Sequence, residues 1–341
     1  MNQDNKTHID PLSAPEFSDL IFNELNWNSE EEIPEGVKIF DLEELEKGLR
    51  LDELKESLEK SYPFYIKNFG IHEDEVENIF NTTRRFFRKS EAEKRAMVHE
   101  RLPIILRGYS AYGTGAYENS INNGKAINQY AKYAWGPSEN VYPDDGFKNT
   151  FQDMIDKLIR VSDRTMDCIG KALDLKQHPE WDNLFDGEDT VLHCQCYYPE
   201  KPLGVDRMVT HADASSITLL TQLPARNGHV GLKAKMDDKY VPIPPVRGSI
   251  VVMTGETMNS LTNGRVQPVM HAVTGPATDI ENSERSSMPF FANPKNTFKM
   301  QRPPVSTHHK FYNEDNSTTF GDYSNNIAVA YKQTEEVAEA V

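Results

Sequence analysis

The apolar positions of this chain change their period partway along it. Between Glu73 and Lys89, the residues Val76, Ile79, Phe80, Phe86 and Phe87 fall on one stripe at helical spacing. The same spacing returns between Phe147 and Leu175 through Phe151, Ile155, Leu158, Ile159, Met166, Ile169 and Leu173, and predicts a long buttressing helix. Upstream, Asp41 is placed to cap a helix running through Leu51, and Asp52 to Leu58 continues the pattern before Pro63-Phe64-Tyr65-Ile66 turns to a strand. Further on the runs shorten: the β-branched stretch Ser215 to Gln222 and the stretch Ser249 to Met253 read as strands. Asn227-Gly228 and Asn263-Gly264 carry the dipeptide favoured in tight hairpin turns. Long helices followed by short, hairpin-joined strands predict an α+β fold: a double-stranded β-helix (jelly-roll) barrel buttressed by helices.

The same pattern divides the chain into an N-terminal arm (1–36), one domain (37–300) and a C-terminal segment (301–341). Within the domain, 37–185 is the helical part and 186–300 the jelly-roll core. The arm is polar, and its Glu30-Glu31-Glu32 run suits a solvated surface. Residues 98–145 are rich in glycine and aromatics, among them Tyr109, Tyr112, Tyr117, Tyr130, Tyr133 and Trp135, without a clear period. They suit either the wall of an access path or ordinary packing. After Lys299 the chain is polar and proline-rich, and a weak helical pattern returns through Ile327, Val329, Tyr331 and Val337, as expected of a terminal lid.

Composition narrows the function classes. A chain of 341 residues with 38% hydrophobic content can bury a substantial core. Its net charge of -16 argues against nucleic acid and anionic membrane as partners, both of which reward basic patches. The stretch Met1 to Lys6 holds no apolar signal core, and no apolar run approaches a membrane span, so a soluble cytoplasmic enzyme acting on a small molecule is expected. Three cysteines, an odd number, speak against a disulfide framework and for a reducing compartment. Oligomeric state is not legible in the sequence.

The candidate chemistry begins at His211 and Asp213. On a strand, residues i and i+2 share a face and can share a metal, and His271 would close the triangle. Two imidazoles and a carboxylate on one face of an octahedron suit Fe(II) and leave positions for a cosubstrate and O2. With ten histidines in the chain, the His-x-Asp pair alone is weak. Arg285 and Ser287 strengthen it: they also alternate by two, and the apolar Met288-Pro289-Phe290-Phe291 that follows argues for a barrel interior. A buried guanidinium demands an anion, and its planar fork matches a carboxylate, with the Ser287 hydroxyl adding a bond. Cys194-Gln195-Cys196 could be a metal element. With only Cys168 besides, the count favours packing and pocket lining.

Taken together, these residues resemble the 2-oxoglutarate-dependent, non-haem iron oxygenases of the isopenicillin N synthase-like family, and within it the ring-expanding members. The similarity runs from about Val37 to about Phe298. It passes through Phe40-Asp41-Leu42-Glu43-Glu44-Leu45, Ser90-Glu91-Ala92-Glu93-Lys94-Arg95-Ala96, Arg107-Gly108-Tyr109, the metal pair and the arginine motif. The resemblance implies that His211, Asp213 and His271 bind Fe(II), and that Arg285 and Ser287 bind the distal carboxylate of 2-oxoglutarate, with Tyr198 near that cosubstrate. It implies ferryl hydrogen abstraction ending in hydroxylation, desaturation or ring expansion. The arginines that hold the substrate carboxylate in the ring-expanding members fall at Cys194 and Cys196, and another is replaced by Leu106. A neutral or phenolic substrate is therefore expected, with Arg107, Tyr130, Cys194 and Cys196 as pocket residues and Arg107 or Lys125 as a substitute charge. Expansion of a dearomatised phenolic ring toward a tropolone in fungal secondary metabolism is the narrower form. An oxidase using the same triad without 2-oxoglutarate, and a non-catalytic jelly-roll binding protein, stay open as alternatives.

Overall fold

The computed structural model describes residues 19–99, 107–111, 130–181, 184–199, 204 and 206–328. The N-terminal half supplies β1 (Lys38–Asp41), α1 (Leu42–Glu46), α2 (Leu51–Glu59), β2 (Phe64–Lys67), α3 (Glu73–Phe87), α4 (Glu91–Arg95), β3 (Gly108–Ser110), β4 (Ala131–Trp135) and α5 (Asp145–Ala172). Asp41 caps α1 as expected, its carboxylate accepting from the Glu43 and Glu44 amides at 2.9 and 3.2 Å. The helix stops earlier than the sequence suggests, because Gly48 takes φ 83° and turns the chain out of the helical region before α2 begins. The long helix is α5. Asp144 opens it by accepting from the Phe147 amide at 2.8 Å, and its apolar stripe is buried from Phe147 to Ile169.

The second half supplies β5 (Val191–Tyr197), β6 (Asp206–His211), β7 (Ile217–Gln222), β8 (Leu232–Met236), β9 (Lys239–Pro242), β10 (Ile250–Thr254), α6 (Glu256–Leu261), β11 (His271–Thr274) and β12 (Arg285–Ala292). Two sheets result: β1-β2-β10-β7-β12-β5-β4-β3 and β6-β11-β8-β9. From β5 to β12 the chain passes back and forth between them, the winding of a double-stranded β-helix. The expectation of strands joined by hairpins is corrected by this topology. Asn227-Gly228 lies on a crossover from β7 in one sheet to β8 in the other. Asn263-Gly264 ends α6, with both residues at positive φ and the Gly264 amide donating to the Asn259 carbonyl at 2.9 Å. Among the described residues a two-residue turn does join β8 to β9 at Asp237-Asp238, with Asp237 at φ 51° between the paired Met236 and Lys239. The part expected to be helical also contributes four strands to the larger sheet.

Each face of the larger sheet has its own environment. The outer face, with Leu192, Cys194, Cys196, Ile217, Leu219, Ile250, Val252, Met288 and Phe290, packs on the helices, α3 against β5 and α5 against β7 and β12. The inner face and the smaller sheet enclose a second cluster holding Tyr130, Tyr197, Leu220, Val251, Leu232, Ala234 and Val273. The C-terminal segment is packed as far as it is described: Phe311, Tyr312, Phe320 and Tyr323 join the outer core, and residues 320–328 are helical. Val329, Tyr331 and Val337 lie outside the described residues. No helix among the described residues is long and apolar enough to cross a membrane.

Candidate active site

His211 closes β6 and His271 opens β11, and the two are direct cross-strand partners. Pairing therefore sets the imidazoles side by side, with ring centroids 4.2 Å apart. Each ring is oriented from behind: Nδ1 of His211 lies 2.8 Å from the Val209 carbonyl and Nδ1 of His271 lies 3.0 Å from the Val269 carbonyl. Those contacts make Nδ1 the protonated nitrogen and leave Nε2 as the ligand atom on both rings. Asp213 does not lie on the strand with His211, contrary to the expectation from i and i+2. It sits just beyond β6, and its Oδ1 comes within 3.6 Å of His211 Nε2 and 3.8 Å of His271 Nε2. The three ligand atoms lie within 4.8 Å of one another.

Two devices hold Asp213 there. The Thr218 hydroxyl donates to Oδ2 at 2.5 Å, which turns Oδ1 toward the imidazoles. Behind the loop, the start of α6 grips the backbone: the Glu256 amide donates to the Asp213 carbonyl at 2.8 Å, and the Thr257 hydroxyl donates to the Ala214 carbonyl at 2.8 Å. Gly255 permits this approach, since a Cβ there would stand 2.1 Å from the Ser215 carbonyl oxygen. On its other side α6 reaches the C-terminal segment. The fully buried Glu256 carboxylate accepts from Ser306, from the Tyr312 hydroxyl at 3.2 Å and from the Asn259 amide at 3.1 Å. Nothing local in the sequence marks Gly255 or Glu256 for this task.

Burial by itself would raise the Asp213 carboxyl, but His271, His211 and Thr218 together hold it well below the usual carboxylate range. Burial, with His211 adding to it, pushes His271 down to about 4. At neutral pH the cluster thus offers an ionised carboxylate and a neutral His271 imidazole, the protonation states a divalent cation requires. Two imidazoles and one carboxylate, with their far atoms tied down, fit iron(II).

Arg285 and Ser287 lie on the inner face of β12. The Arg285 guanidinium donates to Gln222 at 2.8 Å and toward Ser287 at 3.4 Å, and lies 5.0 Å over the Tyr197 ring. Gln195 Oε1 collects both the Ser287 hydroxyl, at 3.1 Å, and the Tyr197 hydroxyl, at 2.9 Å. No carboxylate among the described residues pairs with Arg285. A buried guanidinium without a counterion fits the carboxylate of a ligand.

The other candidate residues separate by strand parity. Tyr130, its ring 5.2 Å from that of Tyr197, belongs to the inner group. Tyr198 does not: its hydroxyl donates to the Phe87 carbonyl at 3.4 Å on the helix side, and Tyr197 takes the place beside Arg285. Cys194 and Cys196 also face outward, Cys194 toward Thr83 of α3 and Cys196 beside Arg84 and Arg88, so they do not line the barrel interior. Arg107 is held at the far end of β4, where its Nε donates to the Ser138 carbonyl at 3.0 Å, close against Gly136. Leu106 and Lys125 lie outside the described residues. The signal that finds Tyr197 and Gln195 is the period of two in β5, whose apolar Leu192, Cys194 and Cys196 alternate with polar His193, Gln195 and Tyr197.

Fold and donor set together define a jelly-roll barrel equipped for a mononuclear, non-haem metal and an anionic cosubstrate. Comparison with known proteins gives the family. Residues 191–294 match the 2OG-Fe(II) oxygenase superfamily, and residues 37–144 match the N-terminal region described as non-haem dioxygenase in morphine synthesis. The chain is 30% identical over 297 residues to an alpha-ketoglutarate dependent kainoid synthase of Digenea simplex, covering 82% of this chain and 81% of that one. It is 29% identical over 282 residues to deacetoxycephalosporin C synthase of Amycolatopsis lactamdurans, covering 78% and 87%. The solved structure of full-length Neurospora crassa T7H in complex with alpha-KG and thymine shares the fold, with a TM-score of 0.68 at 23% identity over 89% of this chain and 99% of that one. The chain belongs to the 2OG-Fe(II) oxygenase superfamily and is a 2-oxoglutarate-dependent non-haem iron dioxygenase.

Proposed function

We propose that His211, Asp213 and His271 bind Fe(II), that Arg285 and Ser287 bind the distal carboxylate of 2-oxoglutarate, and that the enzyme uses O2 to oxidise a C–H bond of a small molecule. The observation that carries this is the buried Arg285, which has no carboxylate partner among the described residues, on the inner face of the barrel that also holds the triad. The chain's net charge of -16 supports a small substrate over nucleic acid or an anionic membrane. The names of relatives include synthases and a hydroxylase, and oxidation at a C–H bond is the step such outcomes share.

Iron with 2-oxoglutarate and O2 supplies the oxidising power, with succinate and CO2 as the other products. The chain supplies placement. Asp213 and the two imidazoles would hold the metal, and Thr218 keeps Oδ1 of the carboxylate turned toward the imidazoles. Arg285 fixes the far end of the cosubstrate, with Gln222, Gln195 and Tyr197 holding the guanidinium and Ser287 in register. The triad and Arg285 are buried, 5–8% exposed, which limits the access of water to the reacting centre.

Anaerobic titration of the Fe(II)-loaded protein with 2-oxoglutarate, followed by visible absorption, tests the proposal. A saturable charge-transfer band is expected in the wild type. In Arg285→Ala the affinity should fall by about 1.5 to 3 kcal/mol, the scale of a hydrogen bond to a charged group. Bound iron without a band would favour an oxidase that needs no 2-oxoglutarate. Failure to bind iron would favour a non-catalytic barrel.

A further inference from the structure

His193 projects from the inner face of β5 and is used by none of the interactions described above. It is buried, 6% exposed, and among the described residues its Nε2 has no hydrogen-bond partner. Its flanks cannot supply one. Ala134 stands opposite on β4, and the register of β5 with β12 sets Pro289 opposite on the other side. The edge of the Phe291 ring packs against the imidazole, 4.9 Å away between centroids. A buried polar atom with no partner is uncommon in folded proteins and needs a reason. Packing is not a sufficient one, since leucine would fill this strand position without the desolvation cost.

Position supplies the reason. Along β5, His193 is the next inner residue after Gln195, which binds Ser287 and Tyr197 in the cosubstrate pocket. Its neighbour Phe291, on β12, pairs with Thr218 of β7, whose hydroxyl holds Asp213. His193 therefore lies along the sheet between the metal loop and the cosubstrate pocket. Burial, with Lys132 and Arg107 adding to it and Asp213 opposing, lowers the imidazole well below its usual value. The ring is neutral at neutral pH and suits an uncharged hydrogen-bonding group better than a carboxylate.

We infer that His193 is a substrate-binding residue of this barrel, its Nε2 hydrogen-bonding the hydroxyl of a phenolic substrate whose ring rests against Phe291. The inference rests on the proposed iron and 2-oxoglutarate sites and names the substrate class those sites serve. The test uses the full chain loaded anaerobically with Fe(II) and 2-oxoglutarate and titrated with phenol or with anisole, its methyl ether. Binding is followed as perturbation of the charge-transfer band, in wild type, His193→Phe and His193→Gln. Wild type should bind phenol about tenfold more tightly than anisole, the worth of one buried neutral hydrogen bond. His193→Phe should lose that preference while keeping the band, and its thermal midpoint should not fall, because an unpartnered polar atom has been removed. His193→Gln, whose amide reaches the place of Nε2, should restore the preference. An undiminished preference in His193→Phe overturns the inference, as does a wild type that ignores phenol or fails to distinguish it from anisole. Absence of the band in wild type overturns the parent proposal, and the inference with it.

Discussion

The two faces of β5 were built from neighbouring residues for opposite purposes. Inward, His193, Gln195 and Tyr197 put polar side chains on the barrel face that also carries Arg285. Outward, Leu192, Cys194 and Cys196 meet the helical layer, where the thiols behave as small apolar groups. Burial raises both thiols far above their usual range, so they stay protonated, whereas the inner face keeps Asp213 ionised. A strand buried on both sides reveals through its polarity, rather than its exposure, which side does chemistry.

The largest expected effect that tests this contrast is at the metal. His211→Ala removes a donor outright and should lower iron affinity by more than about 100-fold, beyond the range for losing an outer-shell partner. Iron stoichiometry and 2-oxoglutarate consumption would check it, and retained iron would break the inner-face assignment. Next comes pH, where the two faces should fail at opposite ends. His271 sits at about 4 in the fold against an ordinary 6.5, so the unfolded chain binds more protons between those values. The metal-free protein should accordingly lose stability as pH falls from 6.5 to 4. Cys194 and Cys196 are shifted the other way, so their contribution is present below pH 9.0 and lost as pH rises above it. Urea midpoints measured across both windows, with Cys194→Ala and Cys196→Ala as controls, should show the alkaline loss reduced only in the cysteine variants.

A finer contrast sets Tyr197 against Tyr198. Tyr197→Phe deletes the hydroxyl bound to Gln195 and should weaken 2-oxoglutarate binding by about 0.5 to 1.5 kcal/mol. Tyr198→Phe should leave that binding unchanged, and the reverse pattern would mean that the parity of β5 is misassigned. The smallest effect on the chamber belongs to Cys194→Ala and Cys196→Ala. Each should cost about 1 kcal/mol of stability, an ordinary value for a core substitution. Cosubstrate affinity should not move, and a shift in it would place the thiols inside the barrel.

Much of this molecule was legible in its sequence because strong periodic signals and chemistry agreed there. The stripe from Phe151 to Leu173 became α5, and His211, Asp213 and His271 came together in one cluster, with Arg285 on the inner face of β12. Tyr198 and the two cysteines were misplaced because resemblance assigned them a face that the local period of β5 contradicts, and the period prevailed because the helical layer requires apolar partners. Asn263-Gly264 does not turn a hairpin: both residues take positive φ, but the backbone uses them to stop a helix. Asp213 could not be placed by strand geometry at all. Its position depends on Gly255 and Glu256, more than forty residues later, brought beside it only by the return of β10 to β7.

The grip of α6 has a consequence for how this chain can be recombined. Glu256 holds the metal loop through its amide and the C-terminal segment through its carboxylate, with Ser306 and Tyr312 as two of its three side-chain donors. A chimera that exchanged everything after residue 300 for a relative's sequence would leave that carboxylate buried beside Asn259 alone, one residue from the turn that sets Asp213. The barrel and its tail are a single unit of inheritance, and crossover points belong upstream of β5.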